Sequence, residues 1–157
     1  MQKLKKAILF LEDGLFFKGK SLGSNGETFG EVCFNTGMTG YQEILTDPSY
    51  SNQMIVMSSP HIGNYGTNNN DTESEKVYAT GFIIKSESLQ PSNWRSEESL
   101  SSFLKKHSIV GIQDIDTRAL TIHIRKNGAM RGIISTEDFN LDSLASKIAV
   151  SYTHLRA

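Results

Sequence analysis

The chain has 157 residues, 38% of them hydrophobic and 21% charged, a composition typical of one soluble globular domain. Its formal net charge of −1 argues against a protein held to nucleic acid or to an anionic membrane by bulk electrostatics. No apolar run reaches the roughly 20 residues of a membrane span. One cysteine excludes an internal disulfide. Acidic Glu12 and Asp13 come directly after the basic start and a short apolar run, and no small-residue cleavage site appears, so we expect no signal peptide and a cytoplasmic location.

Predicted strands dominate the first half of the chain. They cover residues 6–11, 15–17, 31–34, 54–57 and 77–85. The first two flank Asp13-Gly14, a dipeptide that favours a tight hairpin. Gly81, inside the fifth, indicates a bulge or the close approach of another backbone. We also predict a short helix over 39–46 and a polar loop over 63–74.

Predicted helices dominate the second half. They cover residues 97–107, 116–126 and 138–150, and short strands are predicted over 109–112 and 130–134. Asp116 is the expected N-cap of the middle helix, and Gly128 lies where its C-terminal glycine belongs. Strands come first and helices mostly later. This order predicts an α+β fold, with a β-rich layer packed against two or three helices.

Residues 34–53, FNTGMTGYQEILTDPSYSNQ, combine tight turns with many polar side chains. Gly37 and Gly40 bracket Met38 and can take backbone conformations that other residues avoid. Pro48 ends the short helix, because it has no N–H and biases Asp47 away from the helical region. On spacing alone, a loop held by local side-chain to backbone hydrogen bonds is as good an interpretation as a binding site.

The chain has no pattern typical of a nucleophile, a metal site or a nucleotide site. Cys33 lies in a predicted strand between two apolar residues, which favours a buried small hydrophobe over a nucleophile. The segment 63–67, GNYGT, lacks the spacing and the lysine of a phosphate loop, so we expect no cofactor. The histidines are too widely spaced for a zinc motif: His61, His107, His123 and His154.

Long segments in one order resemble the N-terminal domain of the small, glutamine-hydrolysing subunit of carbamoyl-phosphate synthetase. They are residues 11–23, 30–53, 59–74 and 100–135. The resemblance covers nearly all of 1–140 and implies a β/β/α swivelling-type domain over 1–150. It also implies a separate C-terminal glutamine amidotransferase domain, which is absent from this chain. The ending SYTHLRA, 151–157, does not continue the family's pattern, and we assign it no function.

The resemblance implies that this chain alone is inactive. Class I glutamine amidotransferases use a cysteine, a histidine and an acidic partner, and in this family these belong to the C-terminal domain. The resemblance places Ser49 beside the substrate glutamine, where a hydroxyl can both donate and accept. It places Met38, Asp47 and Gly37 where ammonia leaves for the large subunit, although some relatives carry serine in place of Gly37.

The domain would then complete the glutamine site and dock the glutaminase onto the large subunit, which binds ATP and bicarbonate. The expected partners are that large subunit and, through the missing domain, glutamine, with no nucleic acid or membrane. The product, carbamoyl phosphate, feeds arginine and pyrimidine biosynthesis. The charged start of the middle helix, residues 114–118, and the loop 63–74 are either solvated surfaces or docking surfaces.

Two alternatives stay open at this point. One is a stand-alone small-molecule hydrolase using Asp47, Ser49 and His61, which requires a serine–histidine contact within hydrogen-bond reach. The other is a structural module without a ligand. If the turns 36–40 and 47–52 share one exposed edge, the subunit interpretation is favoured. If they are scattered over the surface, the structural one is favoured.

Overall fold

The computed structural model describes residues 4–35, 41–57, 76–85 and 94–156. In these ranges it has seven strands: β1 (Lys6–Leu11), β2 (Phe16–Gly23), β3 (Glu27–Asn35), β4 (Gln53–Met57), β5 (Gly81–Ile83), β6 (Val110–Gln113) and β7 (Met130–Ser135). The helices in the same ranges are α1 (Tyr41–Leu45), α2 (Trp94–Lys106), α3 (Thr117–Asn127) and α4 (Leu141–Arg156), with a 3₁₀ turn at Pro48–Tyr50. None of these helices is both long and apolar enough to cross a bilayer.

The strands close into a barrel in the order β1-β2-β6-β5-β4-β3-β7. Strands β3, β4, β5 and β6 are parallel, whereas β1, β2 and β7 join them through antiparallel pairs. The carboxyl ends of the four parallel strands therefore meet at one edge of the barrel. Asn35 pairs with Met57 there, and the Asp114 N–H donates to the Lys85 carbonyl at 2.7 Å.

Alternating side chains of the strands build three packed clusters. Along β1, Ala7, Leu9 and Leu11 point into the barrel, where α3 closes the core, while Ile8 and Phe10 pack outside against α4. A third cluster packs α1 and α2 on the outer faces of β2, β4 and β5. Strand β1 is buried on both faces, which explains its near-continuous apolar sequence.

The α+β expectation is confirmed as a mixed sheet with helices, and the β-rich layer is a closed barrel. Strand β1 has the bounds predicted from its apolar run, but β2 and β3 extend well beyond the predicted 15–17 and 31–34. Strand β5 is shorter than the predicted 77–85. Gly81 marks close packing, because a Cβ there would lie 3.1 Å from the Met54 side chain.

Helix boundaries follow the capping residues. Asp116 Oδ1 accepts from the Ala119 N–H at 3.0 Å, and the N–H of Gly128 (φ 89°) donates to the Ile124 carbonyl, so both predicted caps of α3 are confirmed. Helix α4 begins three residues later than predicted, because Asn140 Oδ1 caps it through the Ser143 N–H at 2.9 Å. It continues through Arg156. The predicted loop 63–74 lies outside the described residues.

Candidate functional site

A compact polar turn follows α1 and leads into β4. Pro48 starts its single 3₁₀ turn, and Asp47 caps that turn by accepting the Ser49 N–H at 3.0 Å. The Tyr50 N–H donates to the Asp47 carbonyl at 3.0 Å, and the Ser51 hydroxyl donates to the Pro48 carbonyl at 2.9 Å. Asp47 and Ser49 are both exposed. The turn thus presents a carboxylate and a hydroxyl side by side.

The Asp47 carboxylate is held in its ionised form by Ser49. The backbone N–H of Ser49, and then its hydroxyl, lower the pKa of Asp47 below its ordinary value of 3.8. A serine hydroxyl next to a carboxylate has lone pairs to offer. Ser49 can therefore accept a hydrogen bond from an amide or ammonium N–H, with the negative charge of Asp47 beside it.

Side chains on one face of β3 contact the segment that contains this turn. Asn35 Nδ2 donates to the Tyr50 hydroxyl at 2.9 Å, and the Cys33 thiol donates to Gln53 Oε1 at 3.1 Å. The Glu31 N–H donates to the carbonyl of Asn52, which has φ 65°. The turn therefore leads into the amino end of β4, opposite Glu31, and the Tyr50 hydroxyl reaches Asn35 at the carboxyl end of β3.

Cys33 is half-buried rather than the fully buried hydrophobe that the sequence suggests. Burial, and then the nearby charge of Glu31, raise the pKa of Cys33 to about 11. A nucleophilic cysteine requires the opposite shift, because the thiolate is the reactive form. Its environment therefore suits a structural residue.

The structure brings two of the predicted site residues together and leaves the others outside the described ranges. Asp47 and Ser49 share the turn, whereas Gly37, Met38 and His61 fall among residues that the structure does not describe. Asn35, the last described residue before 36–40, contacts Tyr50. The described contact of Ser49 is with an aspartate, so no observation favours the hydrolase.

Three contacts near the parallel edge were missed by sequence reasoning. His123 Nε2 lies 2.6 Å from Asp13 Oδ2 and joins α3 to the β1–β2 hairpin. The Arg125 guanidinium lies 5.0 Å from the centre of the Phe34 ring. The third is the bond between Asn35 and Tyr50. Each joins residues at least 15 positions apart, so no local pattern indicates it.

Two grooves lie on the surface of the described residues. One, of about 560 Å³, is formed by Phe29, Asn52 and α4, and the other, of about 590 Å³, is lined by Lys6, Lys18 and Lys20. Asp47 and Ser49 line neither. Within the described segments, no three histidine, cysteine, aspartate or glutamate side chains are grouped closely enough to hold a metal ion.

Residues 9–134 match the family model of the carbamoyl-phosphate synthase small chain, CPSase domain. The chain belongs to this family. It is 56% identical over 147 residues to the carbamoyl phosphate synthase small chain of Thermotoga maritima, covering 94% of the chain and 38% of that relative. It is 58% identical over 142 residues to that of Maridesulfovibrio salexigens and 53% over 143 residues to that of Aquifex aeolicus. These alignments cover 90% and 91% of the chain, and 38% of each relative.

The chain thus corresponds to the N-terminal part of small chains and spans about 38% of their length. The family match begins in β1 and ends in β7, so it includes the closing strands of the barrel. It also contains the whole Asp47–Ser51 turn, as well as Gly37 and Met38.

Proposed function

We propose that this chain is the part of a small subunit that completes the glutamine site and docks the glutaminase onto the large subunit. The observation that carries the proposal is the exposed Asp47–Ser51 turn in a family-matched domain. Polar groups on an exposed turn are available to a neighbouring molecule. Here the Ser49 hydroxyl and the Asp47 carboxylate face outward.

In this proposal, residues 1–150 form a β/β/α swivelling-type domain, and the catalytic triad lies in a separate glutamine amidotransferase domain of the complete small subunit. The raised pKa of Cys33 supports this division, because the one thiol of the chain is unreactive at neutral pH. The chain by itself would be inactive as a glutaminase. Residues 151–157 would have no role in the activity.

Ser49 would accept a hydrogen bond from bound glutamine, and Asp47 would stabilise positive charge nearby. Asp47, with Met38 and Gly37, would line the start of the path by which ammonia leaves. A carboxylate whose ionised form is favoured by the Ser49 N–H can accept from ammonia or ammonium. No cofactor is required for either role.

The partner of the domain would be the large subunit, where ammonia is used in a ligase reaction to make carbamoyl phosphate for arginine and pyrimidine biosynthesis in the cytoplasm. The exposed Asp114, at the parallel edge just before α3, would contribute to the docking surface. The net charge of −1 supports a protein partner over nucleic acid or an anionic membrane.

Replacing Ser49 in the complete small subunit, assembled with its large subunit, tests the proposal. Ser49→Ala should raise KM for glutamine about 2- to 12-fold, which corresponds to a lost hydrogen bond of about 0.5–1.5 kcal/mol. Synthesis from added ammonia should not change. Ser51→Ala is the matched control, because Ser51 is an exposed residue of the same turn whose hydroxyl donates to the Pro48 carbonyl. An unchanged KM with reduced thermal stability would make Ser49 a turn residue only.

A further inference from the structure

The Asp47–Ser51 turn is internally well bonded but weakly attached to the barrel. Its backbone hydrogen bonds run to residues of the same turn or to Ile44 just before it. Of the hydrogen bonds that residues 47–51 make within the described part of the chain, the one from Asn35 to Tyr50 reaches a strand. The next attachments are the Leu45 carbonyl on one side and the Asn52 carbonyl on the other.

Tyr50 lies next to Ser49 in the chain and is half-buried, whereas Ser49 is exposed. Its ring packs against the outer cluster that also contains Ile55 and Met57 of β4. Its hydroxyl accepts a hydrogen bond from Asn35 Nδ2 at 2.9 Å, and this bond is partly buried. The ring supplies apolar contact, and the hydroxyl supplies a directional bond that fixes where the turn sits along β3.

We propose that Tyr50 is a positioning residue, whose hydrogen bond with Asn35 holds the Asp47–Ser51 turn on β3 and so fixes the Ser49 hydroxyl for glutamine. The inference rests on the proposed function of Ser49. Without the bond, the turn keeps its internal hydrogen bonds and the ring contacts of Tyr50, but loses the directional bond that fixes its position along β3. A shift of a fraction of an ångström lengthens a ligand hydrogen bond enough to weaken it. Glutamine binding would suffer, and the catalytic step in the other domain would not.

The test uses the complete small subunit assembled with its large subunit. Tyr50→Phe keeps the ring and removes only the hydroxyl, so KM for glutamine should rise about 2- to 10-fold. The kcat with saturating glutamine, and synthesis from ammonium chloride, should stay near wild type. Tyr78→Phe is the matched control: it is the same substitution in a half-buried tyrosine whose backbone bonds to Leu45 and whose ring contacts Lys76.

Variants of Asn35 decide whether the bond itself matters. Asn35→Ala should raise KM as Tyr50→Phe does, and the double variant should be no worse than either alone, because the same interaction is lost. Asn35→Asp should restore KM toward wild type, since its carboxylate can accept from the Tyr50 hydroxyl.

Wild-type KM for Tyr50→Phe, or additive effects of Tyr50→Phe and Asn35→Ala, would overturn the positioning role. A lower melting temperature with unchanged KM would also overturn it. If Ser49→Ala raises KM while Tyr50→Phe does not, the positioning role alone fails. If neither variant changes KM, the proposed function of the turn fails as well.

Discussion

Cys33 shows how its neighbours can remove the reactivity of a residue. Its thiol donates to Gln53, and burial together with Glu31 raises the pKa of Cys33 from 9.0 to about 11. The folded state therefore favours the neutral thiol. Between pH 9 and about 11 the Cys33 thiol is deprotonated in the unfolded chain but still protonated in the folded chain. The free energy of unfolding therefore falls as pH rises through this range.

The pH dependence of alkylation reports the pKa of Cys33 directly, because the chain has one cysteine. We expect the rate of reaction with iodoacetamide to keep rising with pH toward about 11, whereas the urea-unfolded chain should level off near 9. A Gln53→Leu variant removes the acceptor and serves as a comparison. A plateau below pH 9 in the folded chain would contradict the proposed environment of the thiol.

The candidate site was predictable where its chemistry is local. The Asp-Pro-Ser sequence predicts a capped turn, and the structure has Asp47 accepting the Ser49 N–H. The contact between Asn35 and Tyr50 was not predictable, because it depends on how the β3–α1–β4 crossover packs. Residue type alone does not reveal which polar side chain of a turn is exposed.

At the scale of elements, one glycine explains why β2 extends beyond its predicted bounds. Gly19 lies inside β2, where a Cβ would be 2.3 Å from the Gln113 carbonyl oxygen, so it allows close packing rather than ending the strand. Strand β1 and the caps of α3 were predicted correctly because a continuous apolar run and local hydrogen bonds define them. Barrel closure pairs β1 with β7, and nothing local specifies that pairing.

Gly23, at the end of β2, allows α2 to pack closely against β2. It has φ 78°, and a Cβ there would lie 2.6 Å from Leu104 Cβ of α2. Gly23→Ala should lower the free energy of unfolding by about 2–5 kcal/mol, from backbone strain plus overpacking. Gly14→Ala is the control, because Gly14 has φ 97° with open space around it, so only strain of about 1–2 kcal/mol applies. Equal losses in urea unfolding would show that the contact with α2 does not matter.

Helix α4 is tied to the barrel by a charged network as well as by its apolar face. Lys147 Nζ lies 2.8 Å from Glu27 of β3 and 2.9 Å from Asp138. The Ser143 hydroxyl, then the Asn140 N–H and Lys147, lower the pKa of Asp138 from 3.8 to about 2. The folded state therefore favours the Asp138 carboxylate. Its stabilising contribution is present above pH 3.8 and is lost as pH falls toward 2.

Asp138→Asn should make α4 less stable at pH 7 and less sensitive to acid. Hydrogen exchange of the α4 amides, measured between pH 7 and 3, reports the opening of this helix. In the wild type, opening should become easier as pH falls below about 4, and the variant should show a shallower change. Asp142→Asn, an exposed carboxylate on the same helix, is the control. Identical pH profiles for Asp138→Asn and wild type would show that the charged network does not stabilise α4.

At the scale of the whole molecule, four parallel strands form one part of the barrel, and antiparallel pairs of the other three strands close it. The parallel strands β3 to β6 have their carboxyl ends at the same edge of the barrel. In other folds with parallel strands, the loops at this edge often carry functional residues. The Asp47–Ser51 turn reaches the end of β3 through Tyr50. The turn itself leads into the amino end of β4, where Gln53 pairs with Glu31, so Tyr50 links the exposed polar turn to the carboxyl-end edge.

The central claim is that this domain connects glutamine hydrolysis with the use of ammonia in the complete enzyme. The most direct test is Met38→Trp in a complete small subunit assembled with its large subunit, with glutamate and carbamoyl phosphate measured together. Leu15→Trp is the control, because Leu15 is an exposed hairpin residue that the proposal gives no role. We expect Met38→Trp to spare glutamine hydrolysis, to lower glutamine-dependent carbamoyl phosphate synthesis, and to leave synthesis from added ammonia intact. If glutamate and carbamoyl phosphate stay in the wild-type ratio, ammonia does not pass Met38 and the claim is contradicted.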